Sequence, residues 1–280
     1  MITRDRRAQL MRSLNRLTAL PEDPMVVVVD NGSRDATPSA VRRSHPGVRV
    51  LPLAANAGVA GRNLGLQWAN SQYVAFADDD SWWRPGSLAA AVEVMEGDPG
   101  VALVAGRIVV GPGERPDPVS EAMAAGPLGP DLAPAAGRRR AVAGCLACAC
   151  VVRRRAFLAA GGFPADFTIG GEEQTLVWDL WAAGWRAVYV PAAVAVHHPA
   201  GAPDSRAGRH RLVARNDLWA AWSRLPAASA LTRTAAVMKR AGRDPAQWRG
   251  VAEAFGRAGW ALSRRAPVPA RVDRIRQLLT

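Results

Sequence analysis

Apolar segments alternate with segments of helical pattern along the first 80 residues, and this order restricts the fold more than any other feature of the sequence. Residues 25–29, 48–53 and 73–77 are apolar runs that indicate buried strands. A helix is predicted to begin at Thr37-Pro38, where a capping residue is followed by proline in the first turn. Strands that alternate with helices form a parallel sheet with both faces covered. We therefore predict an α/β fold, with a mostly parallel, Rossmann-related sheet flanked by helices.

The remainder of the chain gives shorter patterns. Strands are predicted over residues 101–110, 142–152, 188–190 and 194–196, and further helices over 5–19, 61–70 and 174–183. The Pro- and Gly-rich stretch 111–137 is predicted to be a long loop. From residue 201 onward the pattern is helical. We divide the chain into an α/β domain over residues 1–200 and a helical C-terminal extension over residues 201–280.

Positive charge is concentrated in this extension. The chain has a formal net charge of +12, and residues 201–280 hold 16 basic and 5 acidic side chains. Trp219, Trp222, Trp248 and Trp260 stand among these arginines. The combination indicates an amphipathic surface that either rests on anionic lipid or packs against the rest of the chain or a second subunit. No recognised nucleic-acid motif accompanies the arginines, so we expect no nucleic-acid partner, and an arginine-rich nucleic-acid binder is the less favoured alternative.

The cysteines and the apolar runs bear on the compartment. Cys145, Cys148 and Cys150 form an odd, clustered set, which is not a disulfide framework of a secreted protein. They include a C-x-x-C pair, but a second pair at zinc-finger spacing is missing, and their small neighbours favour tight packing. No uncharged apolar run approaches the ~18–20 residues that cross a bilayer. We expect a cytoplasmic protein, with peripheral contact to the inner face of the membrane through residues 206–280 as a further possibility.

Three consecutive carboxylates follow the apolar run 73–77. Adjacent carboxylates such as Asp78, Asp79 and Asp80 repel one another unless a cation lies between them. In a parallel sheet the carboxyl ends of the strands form the ligand crevice, and Asp30 ends another strand at that edge. Carboxylates with open positions suit Mg²⁺ or Mn²⁺ bridging to phosphates. The alternative is that Asp80 or Ser81 caps a helix that begins near Pro85.

Two later motifs carry weaker signals. Glu172 and Glu173 follow two glycines at the start of a predicted helix, where one glutamate could be a general base or both could simply complement the helix dipole. His197 and His198 follow a short apolar strand. A histidine pair could supply an imidazole to the same metal, or it could be part of the core.

Together these motifs resemble the family 2 glycosyltransferases of the GT-A fold over about residues 3–200. The resemblance rests on five motifs in the family's order: Asp30-Asn31-Gly32-Ser33-x-Asp35, Asn56-x-Gly58-x-x-x-Arg62-Asn63-x-Gly65, Asp78-Asp79-Asp80, Gly170-Gly171-Glu172-Glu173 and His197-His198-Pro199. It implies an enzyme that uses a nucleotide-diphospho-sugar donor and a divalent metal, Mn or Mg, and inverts the anomeric carbon. The acceptor stays open between a glycan, a lipid-linked molecule and a small molecule.

The resemblance also assigns roles to residues on the donor side. Asp30 would contact the nucleotide base or ribose, and Arg62 would shape that pocket. Asp78 and Asp80 form the DxD motif, in which Asp80 binds the metal directly and Asp78 or Asp79 faces the ribose. As the first residue of the DxD motif, Asp78 is also a candidate metal ligand.

On the acceptor side, Glu173 takes the position of the base, although the family's usual Glu-Asp pair reads Glu172-Glu173 here and leaves the choice between the two open. His198, or else His197, matches a histidine that completes the metal shell. A nucleotide-sugar-binding protein with impaired catalysis is the alternative function.

The first strand departs from the family pattern. Thr3-Arg4-Asp5-Arg6 matches a turn that touches the nucleotide, so Thr3 is a candidate nucleotide-binding residue, but only Met1 and Ile2 remain of the strand before it. We predict a truncated first strand, caused either by a start placed too far downstream or by a truncated copy. Loss of strand residues would leave unpaired backbone groups and exposed apolar neighbours.

Overall fold

Strands and helices alternate over the first 110 residues of the computed structural model, which describes residues 1–126, 140–199 and 206–279. These elements are β1 (Ile2–Thr3), α1 (Arg7–Leu17), β2 (Val27–Asp30), α2 (Thr37–Ser44), β3 (Arg49–Pro52), α3 (Gly61–Trp68), β4 (Tyr73–Ala75), β5 (Ser81–Trp83), α4 (Ser87–Gly97) and β6 (Val101–Val110). The elements that follow are β7 (Arg115–Pro116), α5 (Pro118–Ala125), β8 (Arg140–Ala141), β9 (Cys150–Arg153), α6 (Arg154–Ala159), α7 (Glu172–Ala182), β10 (Arg186–His197), α8 (Arg206–Arg224), α9 (Ala227–Ala241), α10 (Pro245–Gly256), α11 (Ala258–Ser263) and α12 (Ala270–Leu279).

The strands form a mixed sheet, so the α/β class is confirmed while the pairing is less parallel than expected. β1, β2 and β3 pair in parallel, as do β6 and β10. β9 lies between β4 and β6 and is antiparallel to both. A bridge between Ile2 and Asp78 joins the two groups of strands. An apolar run that is buried on both faces has the same pattern in either direction, which is why the sequence does not reveal the reversal of β9.

Strand β10 is one continuous strand where the sequence indicated two short ones. Val190 pairs with Gly106, whereas Val194 pairs with Arg107, so β10 bulges between these positions. Pro191 lies in the bulge, consistent with the lack of an N–H group for a ladder hydrogen bond. The bulge packs on Gly106, where a Cβ atom would lie 2.5 Å from the Ala193 carbonyl oxygen. Only glycine accommodates this close approach.

Two other predictions need correction. The run 142–152 is a strand only from Cys150 and is preceded by a short 3₁₀ turn, Ala147–Ala149. The predicted loop 111–137 contains β7 and α5, and its residues 127–137 lie outside the described part of the chain. Asp117 caps α5 by accepting from the N–H groups of Val119 and Ser120, and Pro118 takes the first helical position.

The first strand consists of Ile2 and Thr3 and pairs in parallel with β2. The amino group of Met1 donates a 2.8 Å hydrogen bond to the Val27 carbonyl oxygen. Burial is the main cause that lowers the pKa of this amino group to about 5. An apolar cavity of about 230 Å³ lies beside Met1, between Val27 of β2 and Val74 of β4.

The helical extension packs against the rest of the chain, as one of the two interpretations of its tryptophans predicted. Trp219 and Leu218 of α8 are each 2% exposed and share one core cluster with Leu176 and Trp178 of α7. Trp248, by contrast, stays 40% exposed. Among the described residues, no helix combines the length and the apolar character that a bilayer crossing requires.

Candidate active site

The aspartate triplet lies where β4 ends and the chain turns into β5. The carboxyl ends of β1, β2 and β4 meet at this edge, so that Thr3, Asp30 and Asp78 follow neighbouring strands, as expected for a ligand crevice. The capping alternative for Asp80 is wrong because β5 separates the triplet from α4. That helix begins at Ser87, after Gly86 with φ of 80°.

Asp80 lies between the side chains of Arg6 and His197. Its Oδ2 is 2.5 Å from Nη2 of Arg6, and its Oδ1 is 3.3 Å from Nε2 of His197. Burial would raise the pKa of Asp80, but the bond with His197 and the charge of Arg6 outweigh it and lower the pKa. The same bond is the main reason that the pKa of His197 is raised.

His197 and His198 point to different surroundings. The ring of His198 lies against Trp82, with ring centroids 4.8 Å apart, and its backbone N–H donates to the Asp80 carbonyl oxygen at 2.8 Å. The structure therefore brings the imidazole of His197, and only the backbone of His198, to Asp80. The sequence cannot distinguish the two, because the bulge in β10 changes which residues point to each face.

Asp79 turns into the protein. The Thr3 hydroxyl donates to its Oδ2 at 2.9 Å, and Nε of Arg6 is 3.2 Å from its Oδ1. The Ser13 hydroxyl donates to its backbone carbonyl at 2.9 Å, which ties the triplet to α1. Burial raises the pKa of Asp79 to about 7, against the opposing effects of Arg6 and Thr3. Thr3 therefore contacts Asp79, and the sequence predicts a nucleotide-binding role for both residues.

Arg62 connects the triplet to the glutamate pair. It is 7% exposed and forms an ion pair with Asp78. Burial alone would lower the pKa of Arg62, but the charges of Asp78, Glu173 and Glu172 outweigh it and raise the pKa. Acidic groups from the end of β4 and from the start of α7 therefore act on one buried guanidinium.

The glutamates occupy the first turn of α7, and two glycines directly before them turn the chain into this helix. Gly170 and Gly171 have φ of 86° and 88°, a left-handed conformation that side chains disfavour. The amide of Asn216 in α8 donates to the carbonyl oxygens of Ile169 and Gly170 at 2.9 and 2.8 Å. Asn216 was missed in the sequence because helical periodicity does not show which residue of α8 reaches this loop.

The two glutamates differ in their contacts. Glu172 is 2% exposed, and its Oε2 has no hydrogen-bond partner among the described residues. Glu173 accepts from the Ala147 N–H at 3.2 Å and lies in the wall of a cavity of about 340 Å³ with Met123 and Cys145. Burial, followed by the charge of Glu173, raises the pKa of Glu172 to about 8, and burial also raises the pKa of Glu173. Carboxyl groups with raised pKa values in a cleft are suited to proton transfer.

Asp30 is held in place by the turn that follows it. It is 2% exposed and accepts from the backbone N–H of Ser33 at 3.0 Å and from the Ser33 hydroxyl. The Ser33 hydroxyl oxygen also accepts from the Asp5 N–H at 2.9 Å, so the turns after β1 and β2 are joined. This arrangement fixes the edge of the crevice beside Thr3.

The residues around Asp80 fit a divalent cation in part. Asp80 and His197 place a carboxylate oxygen and an imidazole nitrogen side by side, and both are donors that Mn²⁺ accepts. No group of three or more His, Cys, Asp or Glu side chains in the described ranges is arranged to hold a metal ion by itself. Mg²⁺ sites often use one or two carboxylates and take their other ligands from substrate phosphates. The donor set fits a cation of that kind.

The comparisons with known proteins agree with this fold and this site. The model for "Glycosyl transferase family 2" matches residues 1–159. An N-acetylglucosaminyl-diphospho-decaprenol L-rhamnosyltransferase of Mycobacterium tuberculosis is 31% identical in an alignment of 223 positions that covers 68% of this chain and 72% of the relative. A pre-mycofactocin glycosyltransferase of the same organism is 36% identical over 189 residues, but these cover only 39% of it. The protein is therefore a glycosyltransferase. It belongs to glycosyltransferase family 2, as the motifs predicted.

Solved structures show the same fold at lower identity. A mannosyltransferase from Pyrobaculum calidifontis, in complex with GDP-Man and Mn²⁺, matches 94% of this chain and 71% of its own with a TM-score of 0.58 and 24% identity. TarS of S. aureus, residues 1–349 in complex with UDP-GlcNAc, matches 99% of this chain and 84% of its own with a TM-score of 0.62 and 19% identity. These similarities confirm the GT-A-like architecture predicted from the sequence.

Proposed function

We propose that this glycosyltransferase moves a sugar from a nucleotide-diphospho-sugar to an acceptor hydroxyl with inversion, and that a divalent cation assists the transfer. The observation that carries the proposal is the placement of the Asp80–His197 pair beside the ion pair of the buried Arg62 with Asp78 at the ends of the strands. The nucleotide sugars and Mn²⁺ bound to structurally similar proteins support it.

On the donor side, Asp30 and Thr3 face the nucleotide at the ends of β2 and β1. Asp80 and His197 hold the cation, with Asp78 beside them, and His198 contributes only its backbone N–H to the Asp80 carbonyl oxygen. When bound, the cation stabilises the negative charge that develops on the departing diphosphate. Arg62 adds a buried positive charge to the same crevice and fixes the Asp78 carboxylate.

On the acceptor side, Glu173 is the general base. Its carboxylate takes the proton of the acceptor hydroxyl while the hydroxyl oxygen attacks the anomeric carbon from the face opposite the diphosphate. Burial raises the pKa of Glu173, which suits a group that must accept a proton. Glu172 is the alternative base, since both glutamates lie in the first turn of α7.

For the acceptor we propose a lipid-linked molecule, presented at the cytoplasmic face of a membrane during cell-envelope polysaccharide synthesis. A relative named for a decaprenol-linked acceptor supports this class. An apolar cleft of about 180 Å³ between α8, α10 and α11 also supports it, because Phe255 and Leu262 of its lining are each 52% exposed. The Arg264 side chain, which follows α11, is 53% exposed with Asp166 3.7 Å away, and an exposed guanidinium suits an anionic lipid surface.

A donor screen tests the central proposal. The protein is incubated with a panel of nucleotide-diphospho-sugars and Mn²⁺, and release of the nucleoside diphosphate is measured with and without EDTA. We expect release from one donor that is lost in EDTA and in the variant Glu173→Gln. Binding of a donor without release under any condition would refute transfer and would favour a nucleotide-sugar-binding protein.

A further inference from the structure

Arg6 joins two members of the aspartate triplet. Its Nη2 is 2.5 Å from Oδ2 of Asp80, and its Nε is 3.2 Å from Oδ1 of Asp79. The two carboxylates are only 8% and 9% exposed, while the Arg6 side chain is 22% exposed. One guanidinium therefore neutralises two adjacent, mostly buried acids from the solvent side.

The segment that carries Arg6 is held on both sides. The Asp5 carboxylate accepts from the N–H of Arg34 at 2.6 Å, and the Asp35 carboxylate accepts from the N–H of Arg7 at 3.1 Å. These bonds fasten the backbone around Arg6 to the turn after β2. The position of the guanidinium beside the triplet is thus built into the turn.

We propose that Arg6 occupies the cation position beside Asp80 in the ligand-free enzyme and competes with the divalent cation for Oδ2 of Asp80. The inference rests on the cation of the proposed function. Nη2 of Arg6 lies 2.5 Å from Oδ2 of Asp80, so a cation that binds this oxygen takes the place of Arg6. Binding of the cation requires Arg6 to weaken or leave this contact.

The Nε contact with Asp79 keeps Arg6 at the triplet when Nη2 leaves Asp80, and the 22% exposed side chain has room to move. Arg6 is therefore a positioning residue that holds the triplet together before the cation arrives.

Mn²⁺ binding to the nucleotide-free protein tests this inference without an activity assay. Free Mn²⁺ is measured by electron paramagnetic resonance during titration of the parent, Arg6→Gln, Arg6→Lys and Arg4→Gln. Arg4→Gln is the matched control, because it removes the same charge from the same turn while Arg4 pairs only with exposed Asp5 among the contacts of the described residues. Loss of one charge-assisted hydrogen bond corresponds to roughly tenfold in affinity.

We expect Arg6→Gln to bind Mn²⁺ about tenfold more tightly than both the parent and Arg4→Gln. Arg6→Lys, which keeps the charge and the fold, is expected to stay close to the parent. Equal or weaker Mn²⁺ binding by Arg6→Gln, with the parent binding normally, overturns the competition and leaves the proposed function intact. If neither the parent nor Arg6→Gln binds Mn²⁺, with or without nucleoside diphosphates, the cation of the proposed function fails and the inference with it.

Discussion

The sharpest prediction concerns which of the two adjacent glutamates accepts the proton. In Glu173→Gln the side chain keeps its shape and loses its basicity. General-base catalysis contributes about 10²–10⁴-fold, so we expect kcat to fall by about that factor while donor binding is retained. Donor binding should survive because Glu173 contacts the Ala147 N–H, not the crevice edge formed by Asp30 and Thr3.

Glu172→Gln, in contrast to Glu173→Gln, should keep most of its turnover. Burial and then the charge of Glu173 raise the pKa of Glu172 to about 8, so Glu172 holds a proton more readily than an ordinary glutamate. Its removal should leave kcat at the plateau of the rate profile within a few-fold of the parent.

The assay is single-turnover release of nucleoside diphosphate between pH 5.5 and 9.5, with donor, cation and enzyme in fixed excess. Donor affinity is measured separately by calorimetric titration. Transfer by Glu173→Gln at the parent rate would refute the assignment of the base. If Glu172→Gln loses turnover and Glu173→Gln keeps it, the two roles are exchanged.

The same pair makes a prediction about stability. The folded-state pKa of Glu172 is raised from 4.5 to about 8, so the folded protein binds more protons than the unfolded chain between these values. Stability is then fully present below the unfolded pKa and is lost as pH rises through the folded one. We expect Glu172→Gln to raise Tm relative to the parent at pH 9 but not at pH 4.5. An equal Tm difference at both values would contradict the burial argument.

Three further perturbations test the metal site, the loop before α7 and the apolar cleft. Asp80→Asn should weaken Mn²⁺-dependent donor binding at least about tenfold in calorimetric titration, because it removes the charge that a cation needs, and unchanged binding would count against Asp80. Asn216→Ala should lower the free energy of unfolding by about 1–3 kcal/mol in urea, because it leaves two carbonyl groups short of a donor. It should also reduce kcat, whereas the exposed control Asn70→Ala should change neither, and an unaltered unfolding midpoint for Asn216→Ala would show that the loop does not depend on α8. The double variant Phe255→Ser and Leu262→Ser should lose flotation with vesicles of anionic lipid, and flotation equal to the parent at low and high salt would exclude this cleft as the contact.

The strand ends that carry the acidic groups were predictable because parallel strands bring their carboxyl ends to one edge. Asp30 and the triplet follow apolar runs whose boundaries are visible in the sequence, and both lie at that edge. The orientation of individual side chains was not predictable. Three extra residues in β10 change the alternation before His197, and no local pattern announces a bulge beyond Pro191.

Contacts between residues far apart in the chain were also not predictable from the sequence. Arg6 and Asp80 are 74 residues apart, and Asn216 lies 46 residues beyond Gly170. The first contact depends on how the turn before α1 is held against the turn after β2, and the second depends on how α8 packs against the loop before α7. Periodicity predicts the helices and their apolar faces. It does not predict which distant group a polar residue at the edge of such a face contacts.

The contacts of α8 bear on the role of the basic extension. The proposed boundary at residue 200 separates sequences of different charge. Asn216, which lies after this boundary, nevertheless supports the loop before Glu172. At Gly170 a Cβ atom would lie 2.9 Å from a methyl carbon of Val213, so α8 also sets how closely the backbone can approach. Phe167, Trp219 and Trp260 stack with centroids 4.5–6.2 Å apart, which extends the core from this loop into the helices. Because α8 holds the loop that leads into α7, the helical extension contributes to the position of Glu172 and Glu173.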